Sequence, residues 1–278
     1  MSGFFERLFA GRWIAGPGVE DALREARRLN RLGIAAIINY LGEEYHRRNV
    51  VDDAVKTYIR LIREIGKRKL KADISTKITE LGDLIDKGLA EENYSKIVDF
   101  ASKNGVFVWL DMEEHRFVDD TFRLYVSKVK KGNTGICIQS YLRRSLGDIK
   151  RLPGGATIRL VKGAYSEPGR IAFQTREKTT ENYSVLMSYV FKHFDRFTIA
   201  THDTSLLQKA IEANKIRRKN VTFAMLKGVR SNYARKLAID GMKVSVYVPF
   251  GKEWIPYSFR RLREAGNLKL IFRSVFGG

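Results

Sequence analysis

The stretch Thr157-Ile158-Arg159-Leu160-Val161-Lys162-Gly163-Ala164-Tyr165-Ser166-Glu167-Pro168 decides how this chain is read. As a strand it alternates, with Thr157, Arg159, Val161, Gly163 and Tyr165 on one face and Ile158, Leu160, Lys162 and Ala164 on the other. One face carries a cation, an apolar residue, a bare backbone and a phenol, and Pro168 ends the run. A strand built only for packing has little use for an arginine there, or for an interior glycine, which weakens strands. A flat, partly charged ligand lying across the strand would use both.

Outward from this stretch the pattern repeats. Apolar or alternating runs occur at Ile34–Leu41, Lys71–Leu81, Val106–Met112, Gly135–Ser140, Thr157–Tyr165, Phe197–His202, Val221–Lys227 and Lys243–Val248. Helical spacing fills the intervals: 52–65, 91–103, 119–131, 146–152, 178–194, 205–214 and 231–239, with further helices at 4–10, 18–32 and from Pro256. Eight strand–helix units with short connections predict an α/β fold, a (β/α)8 TIM-type barrel. An open doubly wound sheet is disfavoured because no Gly-x-Gly-x-x-Gly follows the first strand. The expected organisation is one domain over 1–278: an N-terminal helical segment at 1–33, the barrel at 34–265 and a tail at 266–278.

The chain has 278 residues, 44% hydrophobic and 29% charged, as expected of a globular protein with a large core. No apolar run reaches the roughly 18 residues that span a bilayer. With Cys137 as its one cysteine it has no internal disulfide or cysteine-rich metal site, and a reducing, cytoplasmic compartment is expected. The formal charge is +20, spread over many segments. Three readings fit it: a solvated basic surface, nucleic acid, or peripheral contact with anionic lipid at the inner face of the cell membrane. No nucleic-acid-binding motif is present, and no nucleic acid partner is expected.

In a barrel of this kind the chemistry sits at the C-terminal ends of the strands. Those ends read Lys77, Asp111, Gln139, Arg159 with Tyr165, Thr201-His202-Asp203, Leu226-Lys227 and Tyr247. Asp111 follows Phe107 and Trp109 on one face; it forms either a structural ion pair with Arg159 or part of a site with it. Lys77 binds an anion or, like Lys162, serves as a Schiff-base nucleophile in a lyase. His202 is one of four histidines, none at metal-ligand spacing to another, so no metal is expected and hydrogen bonding is its expected task. Cys137 reads as core. Near the C-terminus Tyr257, Arg260, Arg261 and Glu264 share one helix face, where two arginine forks beside a tyrosine form a carboxylate receptor.

Five of these segments stand together in order: Leu110-Asp-Met-Glu113, Gln139-Ser-Tyr-Leu-Arg-Arg144, Arg159-Leu-Val-Lys-Gly-Ala-Tyr165, Ala200-Thr-His-Asp203, and Tyr247-Val-Pro-Phe-Gly251 with Pro256-Tyr-Ser-Phe-Arg-Arg-Leu-Arg-Glu264. They closely resemble the proline dehydrogenase family of FAD-dependent barrels. The resemblance runs from about Lys77 to Glu264 and covers the catalytic barrel alone. Nothing in the chain resembles the aldehyde dehydrogenase domain or DNA-binding segment of the bifunctional relatives.

The resemblance implies oxidation of L-proline to Δ1-pyrroline-5-carboxylate, by hydride transfer from C5 to flavin N5, at the start of proline catabolism to glutamate. Electrons then pass to a quinone, and a pyrroline-5-carboxylate dehydrogenase acts downstream. Catalytic positions would be Asp111 and Arg159. Lys77, Arg260 and Arg261 would bind the substrate carboxylate, and Tyr165, Leu226, Tyr247 and Tyr257 would wall its ring. FAD would contact Met112, Gln139, Arg159, Val161, Lys162, Gly163, Ala164, Thr201, His202 and Glu264. The last helix would lie over the barrel mouth, and Gly163 would be bare so that the flavin ring can approach its backbone. Three departures stand out: Asp203 in place of the family's common asparagine, Ser166 where some members carry an aromatic residue, and a short loop from Tyr247 to Tyr257.

Overall fold

Apolar residues recur at two spacings, and the two spacings become two layers. The computed structural model describes residues 12–253. Its strands are β1 (Ala35–Tyr40), β2 (Ala72–Thr76), β3 (Val108–Leu110), β4 (Thr134–Gln139), β5 (Ile158–Val161), β6 (Arg196–Ala200), β7 (Asn220–Leu226) and β8 (Lys243–Phe250). They pair in sequence order, all parallel, and β8 closes on β1 through Ile37↔Tyr247 and Ile38↔Val248. The expected (β/α)8 barrel is therefore the fold.

The helices are α1 (Val19–Asn30), α2 (Arg48–Lys67), α3 (Lys87–Lys103), α4 (Val118–Lys128), α5 (Ser145–Lys150), α6 (Arg176–His193), α7 (Thr204–Arg217) and α8 (Ser231–Ile239). In α2 the buried positions Val51, Ala54, Val55, Tyr58, Leu61, Ile62 and Ile65 form one stripe toward the strands. Side-chain caps start three others: Asp86 accepts from Leu89 N–H, Thr175 from Lys178 N–H, and Asp203 from Ser205 and Leu206 N–H. α1 packs against both β1 and β8 and so covers the seam where the barrel closes.

Strand parity separates two cores. Outward residues such as Ile38, Ile74, Leu110, Ile138, Leu160 and Val246 join the large core under the helices. The inward residues Ile37, Phe107, Trp109 and Ala224 form a second cluster inside the barrel, with Ala200 and Tyr247 against it. Gly135 leaves room for it: a Cβ there would lie 2.6 Å from the Trp109 ring. Both cores end where polar inward residues begin.

Charge is divided between the two ends. Connections that lead into strands carry Arg68, Lys69, Lys71, Lys130, Lys131, Arg218 and Lys219, at the C-terminal ends of helices. Connections that leave strands carry both signs, with Glu43, Glu44, Asp83, Asp86, Glu113 and Glu114 beside Lys77, Arg143, Arg144, Lys162, Lys227 and Arg230. The cations at the base face the helix poles that favour them. Among the described connections those at the base are therefore the more positive. No helix among the described residues is long and apolar enough to cross a membrane.

Two strand expectations are corrected. The run from Thr157 to Tyr165 is strand only to Val161, because β4 turns away after Gln139 and Lys162 C=O accepts Tyr141 N–H at 2.8 Å instead of a ladder partner. Gly163 then takes φ +111°, outside strand geometry. The run from Lys71 to Leu81 likewise ends at Thr76, and Ile78–Glu80 is a 3₁₀ turn. The expected helices at 4–10 and from Pro256, with Tyr257, Arg260, Arg261 and Glu264, lie outside the described residues, as does the position of the last helix over the mouth.

Candidate active site

Arg159, at the middle of β5, points inward where its strand neighbours are apolar, and is 3% exposed. Its guanidinium lies 4.9 Å from the centre of the Trp109 ring and 5.5 Å from that of Tyr247. Nη2 is ion-paired with Asp111 Oδ1 and donates to Ser75 Oγ at 3.0 Å, and Nε donates to Cys137 Sγ at 2.9 Å. Nη1 is buried without a hydrogen-bond partner among the described residues. A buried arginine with one open N–H edge is costly unless a ligand accepts from it.

Asp111, just beyond β3, also accepts from the Tyr247 hydroxyl at 2.7 Å and the Cys137 thiol at 3.2 Å. Burial pushes its carboxyl upward, but Arg159 and Lys77, with the two hydrogen bonds, outweigh burial and hold it below the ordinary range. The site therefore keeps a charged carboxylate. Arg159 and Asp111 come together as expected, and the pair lines the cavity instead of only bracing the rim.

Lys77, 7% exposed, leaves β2 and reaches back across the mouth. Its ammonium donates to Gly42 C=O at 2.8 Å and to Glu80 Oε1 at 3.0 Å. Burial disfavours the charge, yet Glu80, Asp111, Glu113 and Glu43 together hold Lys77 above its ordinary value. A Schiff-base nucleophile needs the opposite, a neutral amine. Beside it Glu113 accepts from Thr79 Oγ1 at 2.6 Å and is pushed up to about 8 by burial.

A cavity of about 490 Å³ opens among these groups at the C-terminal ends of the strands, within the ~300–1,000 Å³ usual for small-ligand sites. Lys77, Tyr165, Leu226 and Tyr247, expected to meet substrate, line it, and so do Met112, Gln139, Val161, Lys162, Gly163 and Ala164. Thr201 and His202 complete that wall, with His202 Nε2 accepting Leu226 N–H at 3.3 Å. Gln139 Nε2 donates to Met112 C=O at 3.2 Å, while its Oε1 is buried with no partner among the described residues.

Three readings of single residues are revised. The space in front of Gly163 belongs to Tyr141, since an added Cβ would stand 2.1 Å from that ring, so packing explains the glycine. Cys137 is buried, as expected of core, but it bonds both charged groups and lines the cavity. Asp203, the departure from the family's asparagine, caps α7 and pairs with the Lys162 ammonium at 2.9 Å. Burial opposes its ionisation, but Lys162 and Ser205 hold its carboxyl down at about 2.

Sequence reasoning missed Asn39, Ser75 and Arg176. Asn39 and Ser75 carry a signal only once strand parity is known, because both sit one pleat below the mouth on inward positions. Arg176 opens α6 and lines the cavity. A cation in the first turn of a helix opposes the macrodipole; that misplaced charge was its available signal.

The comparisons agree with one another. A family model described as proline dehydrogenase matches residues 22–270. Proline dehydrogenase 1 of Bacillus subtilis (strain 168) is 31% identical over 275 residues, covering 97% of this chain and 91% of the relative. Proline dehydrogenase of Deinococcus radiodurans is 33% identical over 280 residues, covering 97% of this chain and 90% of the relative. Proline utilization A from Bdellovibrio bacteriovorus, solved after inactivation by N-propargylglycine, matches with a TM-score of 0.86 at 22% identity. That match covers 94% of this chain and 33% of the larger one, so the chain spans about a third of that structure's length. At such identity the likeness supports the fold alone.

Proposed function

The chain belongs to the proline dehydrogenase family of proline-catabolic oxidoreductases, and from that premise we propose that it oxidises L-proline to Δ1-pyrroline-5-carboxylate with bound FAD and passes the electrons to a quinone. The observation that carries the reading is the cavity lined by Arg159, Asp111, Lys77 and Tyr247, which holds two buried polar atoms without partners among the described residues, Arg159 Nη1 and Gln139 Oε1. A donor and an acceptor stranded in one cavity suit a flat heterocycle that presents both. The residues therefore fit a flavin, with Gln139, Arg159, Thr201, His202 and the 161–164 segment holding it and the cations Lys162 and Arg176 serving its phosphates. When bound, the flavin supplies the hydride acceptor for the C5 hydrogen of proline.

The chain's own residues bind, orient and exclude water. Lys77, with Arg260 and Arg261 from the region outside the described residues, takes the substrate carboxylate. A fixed carboxylate turns the ring to one orientation and gives the reaction a near-attack geometry. Tyr165, Leu226, Tyr247 and Tyr257 wall the ring. Asp111 stays ionised and holds both Arg159 and the Tyr247 hydroxyl in place. The cations at the base, far from this chemistry, suit contact with an anionic membrane surface.

The purified protein should be yellow, and anaerobic L-proline should bleach its flavin absorbance. A colourless protein that remains inactive after reconstitution with FAD would overturn the proposal.

A further inference from the structure

Behind Lys77 lies a carboxylate that touches no part of the cavity. Glu80 is fully buried, at 0% exposure. Its Oε2 accepts from the Tyr58 hydroxyl at 2.8 Å, the Thr76 hydroxyl at 3.2 Å and Lys77 N–H at 3.2 Å, and its Oε1 accepts from Lys77 Nζ at 3.0 Å. Three donors from α2, β2 and the turn that follows pin one oxygen, which leaves the other no freedom to move. Burying a carboxylate is costly, and neither the fold nor the substrate contacts of the reaction require one at this place. The 3₁₀ turn it closes could be capped by a neutral side chain.

An ammonium has three N–H donors. In Lys77 two are committed, to Gly42 C=O at 2.8 Å and to Glu80 at 3.0 Å. The third has no acceptor among the described residues, and Lys77 lines the cavity. We propose that Glu80 is a positioning residue for the reaction proposed above: it locks the Lys77 ammonium so that its remaining N–H points at the carboxylate of the substrate. The inference rests on the assignment of Lys77 to that carboxylate. Glu80 acts through Lys77 and never touches substrate. Tyr58, reaching inward from α2, sets the position of Glu80 in turn and so couples the helix layer to the mouth.

The test uses the FAD-loaded enzyme and cyclopentanecarboxylate, which has the ring and the carboxylate but no oxidisable amine. Its inhibition constant is measured against proline oxidation from pH 6 to 10, beside that of the neutral cyclopentanecarboxamide. Glu80→Gln keeps the shape and removes the charge. It should weaken the carboxylate at least about tenfold, the usual worth of a hydrogen bond between charged groups, and leave the carboxamide unchanged. The proline KM should rise more than kcat falls. With Glu80 neutral, burial drives the Lys77 ammonium toward the free amine, so the alkaline loss of carboxylate binding should move to lower pH. Lys77→Met should bind the carboxylate weakly at every pH.

A Glu80→Gln enzyme with wild-type binding and pH profile, beside a weakened Lys77→Met, overturns the positioning role and leaves the Lys77 assignment standing. Wild-type binding in Lys77→Met overturns both. If Glu80→Gln does not fold, Tyr58→Phe decides: it keeps the charge and removes one anchor, and should weaken the carboxylate a few-fold with no shift in pH profile. No change in Tyr58→Phe overturns the proposal.

Discussion

Asp111→Ala is the most informative single substitution in this protein. It removes the only carboxylate bonded to the Arg159 guanidinium among the described residues, while that guanidinium stays 3% exposed. Ser75 Oγ at 3.0 Å and Cys137 Sγ at 2.9 Å would remain as its acceptors. Breaking a buried ion pair from one side costs about 3–5 kcal/mol. At roughly 2–4 °C per kcal/mol for a chain of this size, the melting temperature should fall by about 6–20 °C. Asp111→Asn, which keeps an acceptor oxygen, should lose less.

The dependence on pH has a definite sign. The folded Asp111 carboxyl lies below its ordinary value, so its stabilisation is fully present above that ordinary value and fades as pH falls through the lower folded one. The gap between wild type and Asp111→Asn should therefore be open at pH 7 and close in acid. Cys137 provides an independent readout. Burial pushes its thiol up and the Asp111 charge adds to this, while Arg159 pulls it down. Without Asp111 the thiol should ionise more readily, and its alkylation by iodoacetamide should speed up. Chemical denaturation at one fixed FAD concentration is the assay, since bound ligand shifts apparent stability. Asp111→Ala within about 1 kcal/mol of wild type, with unchanged thiol reactivity, would refute the reasoning.

Gly163→Ala should cost at least about 2 kcal/mol, because the new Cβ would stand 2.1 Å from Tyr141 at φ +111°; adding Tyr141→Ala should recover part of that loss, and a neutral Gly163→Ala counts against it. Glu113, raised to about 8 by burial, binds a proton in the folded state between its ordinary value and that pH, so wild-type stability should fall as pH rises through this window. Glu113→Gln should match wild type near pH 5 and exceed it by a few kcal/mol above pH 8; a gap that does not grow with pH excludes the assignment.

The barrel itself was legible because its information is local and repeated. Short apolar runs such as Ile34–Leu41 and the apolar stripe of Val51 to Ile65 mark buried strand and helix in turn, and repeating them along the chain leaves little choice of fold. Most candidate site residues were legible for the same reason: polar side chains at the ends of apolar strands can only collect at one mouth. Lys77, Asp111, Arg159 and Tyr247 all do so.

Strand ends and mutual contacts were decided elsewhere. Alternation predicts strand to Tyr165, but a strand continues only while its neighbour offers ladder partners, and β4 withdraws after Gln139. The reason for Gly163 could not be read from its own stretch, because the ring that needs the space belongs to Tyr141, on the preceding connection. Glu80 and Tyr58 carry no signal of this contact in sequence: one falls in the run read as strand to Leu81 and the other in the helix read at 52–65, and only α2 lying against β2 brings them behind Lys77. Periodicity along one segment determined which side chains face inward. Which inward side chains touch, which protons they hold and which oxygen stays open to a ligand depend on distances between segments, and those exist only once the barrel has closed.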